Sequence, residues 1–141
     1  MKIKIKKLKE DAKLPTYGNP GDAGMDIYAV EEVVFKPGEQ KRIHTGVAFE
    51  IPHGYVGLVW DKSGISFNQG LKVMGGVIDA GFRGEFIASM VNLSGVEQKI
   101  EKGQKFTQML IQPIALCEIE ETDTLSDSAR GEGREGSTGT H

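Results

Sequence analysis

Five short stretches carry residues that could do chemistry together, and one of them is unusually dense. It runs Gly75-Gly76-Val77-Ile78-Asp79-Ala80-Gly81-Phe82-Arg83-Gly84-Glu85. Its two glycines allow a sharp bend or a close approach of the backbone to a ligand. Val77-Ile78 gives a short apolar step, and Asp79 then supplies one carboxylate near the ring of Phe82 and the charged turn Arg83-Gly84-Glu85. The pattern predicts a β-hairpin with an acid at its shoulder, suited to a planar ring held next to a base. A lone Asp at such a place also reads as nothing more than a turn hydrogen bond.

The other four stretches speak of anions. Asp61-Lys62-Ser63-Gly64-Ile65-Ser66 could offer an ammonium, a hydroxyl and free backbone N–H groups to an anion. An ordinary polar turn has the same composition. Asp26 sits among Ala23-Gly24-Met25 and Ile27-Tyr28-Ala29. Either it faces solvent on a strand, or it is a carboxylate held inward near phosphates, acting through the water shell of a metal. Gln108 interrupts the apolar run Phe106 to Ile111. An unpaired amide in a core costs roughly 1–3 kcal/mol, so Gln108 should have a partner. Finally, Arg130-Gly131-Glu132-Gly133-Arg134-Glu135-Gly136-Ser137-Thr138-Gly139 sets cations and hydroxyls among glycines. It could wrap a phosphate chain or be a plain disordered tail.

Strands must position these groups. Lys and Ile alternate over residues 2–6, the period of a strand with one wet face, and the lysines discourage edge pairing. Further strand-length runs follow at Val33-Phe35, Arg42-Ile51, Tyr55-Trp60, Phe86-Leu93 and Phe106-Pro113, with Glu118-Ile119-Glu120 continuing the alternation. Val56, Leu58 and Trp60 share one face of theirs. This spacing predicts an all-β sandwich or barrel, with one helical turn at Phe67 to Gly70. After Thr122 the chain holds almost no apolar residue, which predicts a β domain over 1–122 and a flexible arm over 123–141 that is mobile without ligand.

Composition narrows the class. The chain has 141 residues, enough for one domain with its own core, and 38% are hydrophobic. A net charge of −3 gives no reason to expect nucleic acid as a partner. No signal peptide or membrane-length apolar run is present, so no membrane is expected. The single Cys117 fits a reducing, cytoplasmic setting and reads as a small core residue. His44 and His53 lack zinc-site spacing and read as solvated strand or turn residues.

In this order the segments resemble the homotrimeric dUTP pyrophosphatase (dUTPase) family over nearly the whole chain. Residues 23–29 are similar to its first motif, 62–66 to the second, 76–85 to the third, 102–108 to the fourth, and 130–133 with 136–139 flank the fifth. The resemblance implies a jelly-roll β-sandwich of the β-clip type, a homotrimer with shared active sites, and Mg²⁺ as cofactor. The reaction implied is hydrolysis of dUTP to dUMP and pyrophosphate, which keeps uracil out of DNA and supplies dUMP for dTMP synthesis. By the same resemblance Asp79 is the base that activates water against the α-phosphorus, and Asp26 supports the hydrated metal. Lys62, Ser63, Gly64, Gln108 and Arg130 contact phosphates or ordered water, with Gly136, Ser137 and Thr138 at the γ end. Gly76, Val77 and Ile78 read the uracil edge, and the deoxyribose packs on Phe82.

Three departures stand out. Lys62 replaces the usual Arg and loses its bidentate fork. Phe82 replaces the usual Tyr. Arg134-Glu135 replaces the usual Gly-Phe, so Arg134 is the candidate to stack on the base. Two alternatives carry specific expectations. A dCTP deaminase on the same fold should have a glutamate ten residues after the Asp, where this chain has Ser89. A nucleotide-binding regulator with weakened catalysis is suggested by Arg134-Glu135.

Overall fold

The computed structural model describes residues 1–141. The alternating runs become ten strands: β1 (Lys4–Lys7), β2 (Met25–Tyr28), β3 (Val33–Phe35), β4 (Gln40–Glu50), β5 (Tyr55–Asp61), β6 (Leu71–Met74), β7 (Val77–Ile78), β8 (Glu85–Asn92), β9 (Gln98–Ile100) and β10 (Lys105–Pro113). One helix, α1, covers Ser63–Gln69. The strands form two four-stranded antiparallel sheets, β1-β4-β8-β6 and β2-β10-β5-β7, with β3-β9 as a small third ribbon. Inward side chains of both large sheets meet in one core, Ile43, Phe49, Phe86 and Met90 from the first and Ile27, Val59 and Met109 from the second. This is the expected jelly-roll sandwich. Phe49 and Phe86 meet edge to face with centroids 6.1 Å apart, the arrangement that aromatic quadrupoles favour.

Buried side-chain nitrogen and oxygen atoms all have hydrogen-bond partners. Asn92 is fully buried and serves as a hub: its amide donates to the carbonyls of Phe35 and Val96, and its Oδ1 accepts from the Ser94 N–H and hydroxyl. Ile5 of β1 packs on the core while the lysines point out, as the alternation requires. No helix is long and apolar enough to cross a membrane.

Several expectations are corrected. The helix begins at Ser63, four residues before the predicted helical turn, and ends where Gly70 takes φ 65°, a left-handed cap. The predicted hairpin around Asp79 is not one. β7 pairs with β5 and β8 with β4 and β6, so the two flanks of the turn lie in different sheets. Val56, Leu58 and Trp60 share a face as expected, opposite Gly57 and Val59, and along it exposure rises from buried Val56 to Trp60 at 55%. Gly57 turns inward, because a side chain there would meet Ile51 Cδ1 at 2.8 Å and Met109 Sδ at 3.0 Å. Cys117 is exposed, not a core residue, and Glu118-Ile119-Glu120 forms no strand. Both lie beyond β10, where no neighbouring strand covers the chain. His44 is not simply solvated: its Nδ1 lies 3.0 Å from Glu85 Oε2, and Glu85 Oε1 accepts the Gly46 N–H across an irregularity in the β4–β8 ladder.

Candidate active site

Asp26 lies on β2 opposite Gln108 of β10, which in turn faces Trp60 of β5. These three side chains share the outer face of one sheet. Asp26 is nevertheless 5% exposed, so its charge needs compensation. Lys62 donates to Oδ1, and Lys105 Nζ lies 2.8 Å from Oδ2. Burial pushes the carboxyl up in pKa, and the ammonium groups of Lys105 and Lys62 more than reverse this, holding it below the usual Asp value. The cluster of one carboxylate and two ammonium groups thus carries one net positive charge, a setting that favours a polyanion.

Lys105 is the functional candidate that sequence reasoning missed. Strict alternation assigns Lys105 and Gln108 to opposite faces. The β2–β10 register slips between Lys105 and Thr107, which brings Lys105 to the same carboxylate. Its position three residues before Gln108, in the Lys102 to Gln108 stretch, was the available signal.

Gln108 has the partner its position required: Nε2 donates to the Asp61 carbonyl at 2.8 Å. The side chain lies flat on Gly24, where an added Cβ would sit 2.4 Å from Gln108 Oε1. Around these groups opens a cleft of about 710 Å³, lined by Asn19, Asp26, Trp60, Lys62, Gln108 and Leu110. Asp61 also lines the cleft. Its carboxylate accepts the Val73 N–H at 2.7 Å and meets Lys72 at 2.6 Å, tying the end of β5 to β6. Ser63 and Gly64 are exposed in the first turn of α1, directly after Lys62. The first backbone N–H groups of a helix lack intrahelical partners, and those of α1 open beside Lys62, whose ammonium is turned onto Asp26.

The residues from Gly76 to Phe82 form a second group. Gly76 takes φ 121°, and its carbonyl accepts the Val59 N–H at 2.8 Å. A Cβ there would meet Val59 Cβ at 2.8 Å, so only glycine lets the chain run this close to β5. Ile78 packs on the core and Val77 faces outward. Asp79 is exposed, and its carboxylate makes no hydrogen bond or ion pair, while its backbone carbonyl accepts the Phe82 N–H at 3.1 Å. The Phe82 ring lies over Gly84, where a Cβ would be 2.8 Å from the ring.

One chain does not unite the two groups. Ile78 pairs with Gly57 of β5, and Lys62 follows five residues later, just past the end of that strand, a separation of roughly 17 Å at the rise of a strand. The third group is apart from both. Arg130, Arg134, Gly136, Ser137 and Thr138 lie on an exposed arm built of successive turns. Arg130 Nε donates to the carbonyl of its own Gly133 at 2.9 Å, and the Ser137 N–H donates to the Arg134 carbonyl at 3.0 Å.

Comparison with known proteins gives this arrangement its context. The dUTPase family model matches residues 10–139. The deoxyuridine 5'-triphosphate nucleotidohydrolase of Clostridioides difficile is 44% identical over 139 residues, covering 97% of each chain. That of Nautilia profundicola is 43% identical over 141 residues and covers 99% of each. Among solved structures, the dUTPase of Staphylococcus bacteriophage 80alpha with dUpNHpp superposes with a TM-score of 0.94 at 32% identity over 99% of both chains. A mutant dUTPase from phage phi11 of S. aureus, described with a structural Mg(II) ion, gives 0.85 at 29% identity over 90% of this chain and 100% of its own. By its motifs, its sheet order and these matches, the chain belongs to the dUTPase family.

Proposed function

We propose that this chain hydrolyses dUTP to dUMP and pyrophosphate, with Asp79 as the general base. The contrast between two carboxylates carries the assignment. Asp26 is buried with both oxygens held by ammonium groups, so it is a poor proton acceptor. Asp79 is exposed on a turn and unpaired, free to take a proton from a water directed at phosphorus. Water is a weak nucleophile and a polyphosphate repels it, so the cations must come first. Lys62 and Lys105 supply them, with Arg130 from the arm, and Ser63, Gly64 and Gln108 position phosphate oxygens or the water. Gly76, Val77 and Ile78 present backbone donors and acceptors to the uracil edge. Phe82 packs on the deoxyribose, and Gly136, Ser137 and Thr138 close on the γ-phosphate.

No three carboxylate, imidazole or thiol groups converge on one point. That donor set does not fit a metal caged by protein. It does fit Mg²⁺ held by substrate phosphates and water, with Asp26 as an outer support. The ion would supply neutralisation of phosphate charge.

The roughly 17 Å between Lys62 and the β5 position that Ile78, next to Asp79, pairs with supports a site shared between subunits. Val77, Trp60, Leu116, Ile119 and Leu125 are exposed apolar side chains that a neighbouring copy can cover. In a homotrimer, residues 123–141 of one chain would close over a site formed by two others. Sedimentation should then give about 46 kDa, three times the 15.3 kDa chain.

The deciding assay supplies dUTP, dCTP and dTTP with Mg²⁺ in ¹⁸O-water and follows pyrophosphate, ammonia and the label. Attack at the α-phosphorus places ¹⁸O in dUMP. Label in pyrophosphate refutes the proposed attack, and ammonia from dCTP would favour the deaminase. Asp79→Asn should lower kcat at least about 100-fold without loss of stability, and an unchanged rate removes Asp79 from the role of base.

A further inference from the structure

The turn that carries Asp79 hangs between two sheets. Ladder pairing stops at Ile78 in one sheet and resumes at Glu85 in the other. The connecting residues, Asp79 to Gly84, include Gly81 and Gly84, the residue type with the widest backbone freedom. Composition alone therefore does not keep the carboxylate in one place. Within the turn, the Phe82 N–H donates to the Asp79 carbonyl at 3.1 Å. The other two hydrogen bonds come from one side chain: Arg83 Nη1 donates to the Ala80 carbonyl at 2.5 Å and to the Phe82 carbonyl at 3.0 Å. Arg83 Nη2 also lies 3.7 Å from Glu50 Oε1 at the end of β4, and Glu50 Oε2 lies 3.5 Å from Lys4 Nζ on β1.

We propose that Arg83 is a positioning residue for Asp79: its guanidinium staples the turn through two carbonyls and anchors it to β4 through Glu50. The inference rests on the reading of Asp79 as the base. The guanidinium suits the task because its donors are fixed in one plane, which a lysine ammonium does not reproduce. It is also 54% exposed in its side chain and outside the core cluster, so its removal leaves the sandwich intact. A group that orients water must be held within about 0.5 Å, and a shift of about 1 Å costs on the order of 100-fold in rate. Substrate affinity comes from other residues, so the cost falls on turnover.

The test uses the full-length protein with Arg83→Ala, Arg83→Lys, Glu50→Gln and Asp79→Asn. Arg83→Ala should lower kcat about 10–100-fold, while KM for dUTP and Kd for dUpNHpp change less than about threefold. Guanidinium below denaturing concentration should restore part of that kcat in Arg83→Ala and none in Asp79→Asn. Arg83→Lys should recover less than half of it. Glu50→Gln keeps both carbonyl bonds and removes the charge that draws the guanidinium to β4, so it should show a smaller fall in kcat, again with KM unmoved. It also supplies the test if Arg83→Ala does not fold. An unchanged kcat in Arg83→Ala, or a loss confined to KM, overturns the staple. A dead Asp79→Asn beside an unimpaired Arg83→Ala removes only the staple, whereas a wild-type rate in Asp79→Asn removes the base reading on which it rests.

Discussion

Gly24→Ala should damage the site without touching any charged group. The backbone at Gly24 does not have positive φ, so alanine brings no conformational strain of its own. The problem is the neighbour. The new Cβ would stand 2.4 Å from Gln108 Oε1, 3.0 Å from its Cδ and 3.2 Å from its Cβ. Ordinary contact begins near 3.4 Å, so the amide must retreat by about 1 Å, enough to break its 2.8 Å bond to the Asp61 carbonyl. Losing that bond and stranding a half-buried carbonyl costs about 1–3 kcal/mol. A shift of about 1 Å in a group that orients water or phosphate lowers kcat on the order of 100-fold. Urea titration and steady-state kinetics measure both. The control is Gln108→Ala, which removes the two closest atoms, Oε1 and Cδ, and leaves only the mild 3.2 Å contact with Cβ. In that background Gly24→Ala should cost less than about 0.5 kcal/mol. If Gly24→Ala destabilises the two backgrounds equally, the clash with Gln108 is not its cause, and the account of Gly24 as the floor for that amide is wrong.

Three further perturbations probe other parts of the site. Asp26→Asn leaves two ammonium groups facing a neutral amide. Breaking a buried pair costs about 3–5 kcal/mol, but both lysines reach solvent, which reduces the expected loss to about 1–3 kcal/mol at pH 7. Because the folded-state carboxyl titrates below its ordinary 3.8, its contribution is complete above that pH and disappears as pH falls through the lower folded value. Urea midpoints of wild type and Asp26→Asn, in metal-free buffer, should therefore converge only below pH 3.8. Gly76→Ala combines φ 121° with a Cβ 2.8 Å from Val59 and should destabilise by about 1–3 kcal/mol, with a larger KM as the 76–78 backbone moves. Arg134→Ala should raise the KM for dUTP about 2- to 30-fold if the guanidinium stacks on the base, the span of a cation–π contact of about 0.5–2 kcal/mol; an unchanged KM excludes the stacking.

The strands were legible because burial on one face imposes a period of two, which survives in Lys2 to Lys6, while Phe86 to Leu93 shows itself as a largely apolar run of strand length. Alternation says which residues share a face, yet not which face is the core. For β5 the choice turns on Gly57, whose missing side chain leaves the space that Ile51 and Met109 occupy. Nothing local to Tyr55-Trp60 announces those two neighbours. The false hairpin has a similar origin. Val77-Ile78 is followed by a turn and another strand, which is the local signature of a hairpin, but its partner is β5, reached because Gly76 permits close contact with Val59.

The two aspartates show the same limit in the chemistry. Asp26 and Asp79 are the same residue type, each set among small and apolar neighbours in the sequence. Their roles separate only through contacts made at a distance: Lys62 and Lys105 saturate one carboxylate, and the register slip that delivers Lys105 is invisible to a strict alternation. Residue order can supply the candidates. What each one does follows from which charges the fold brings to it, and for Asp79 from which charges it keeps away.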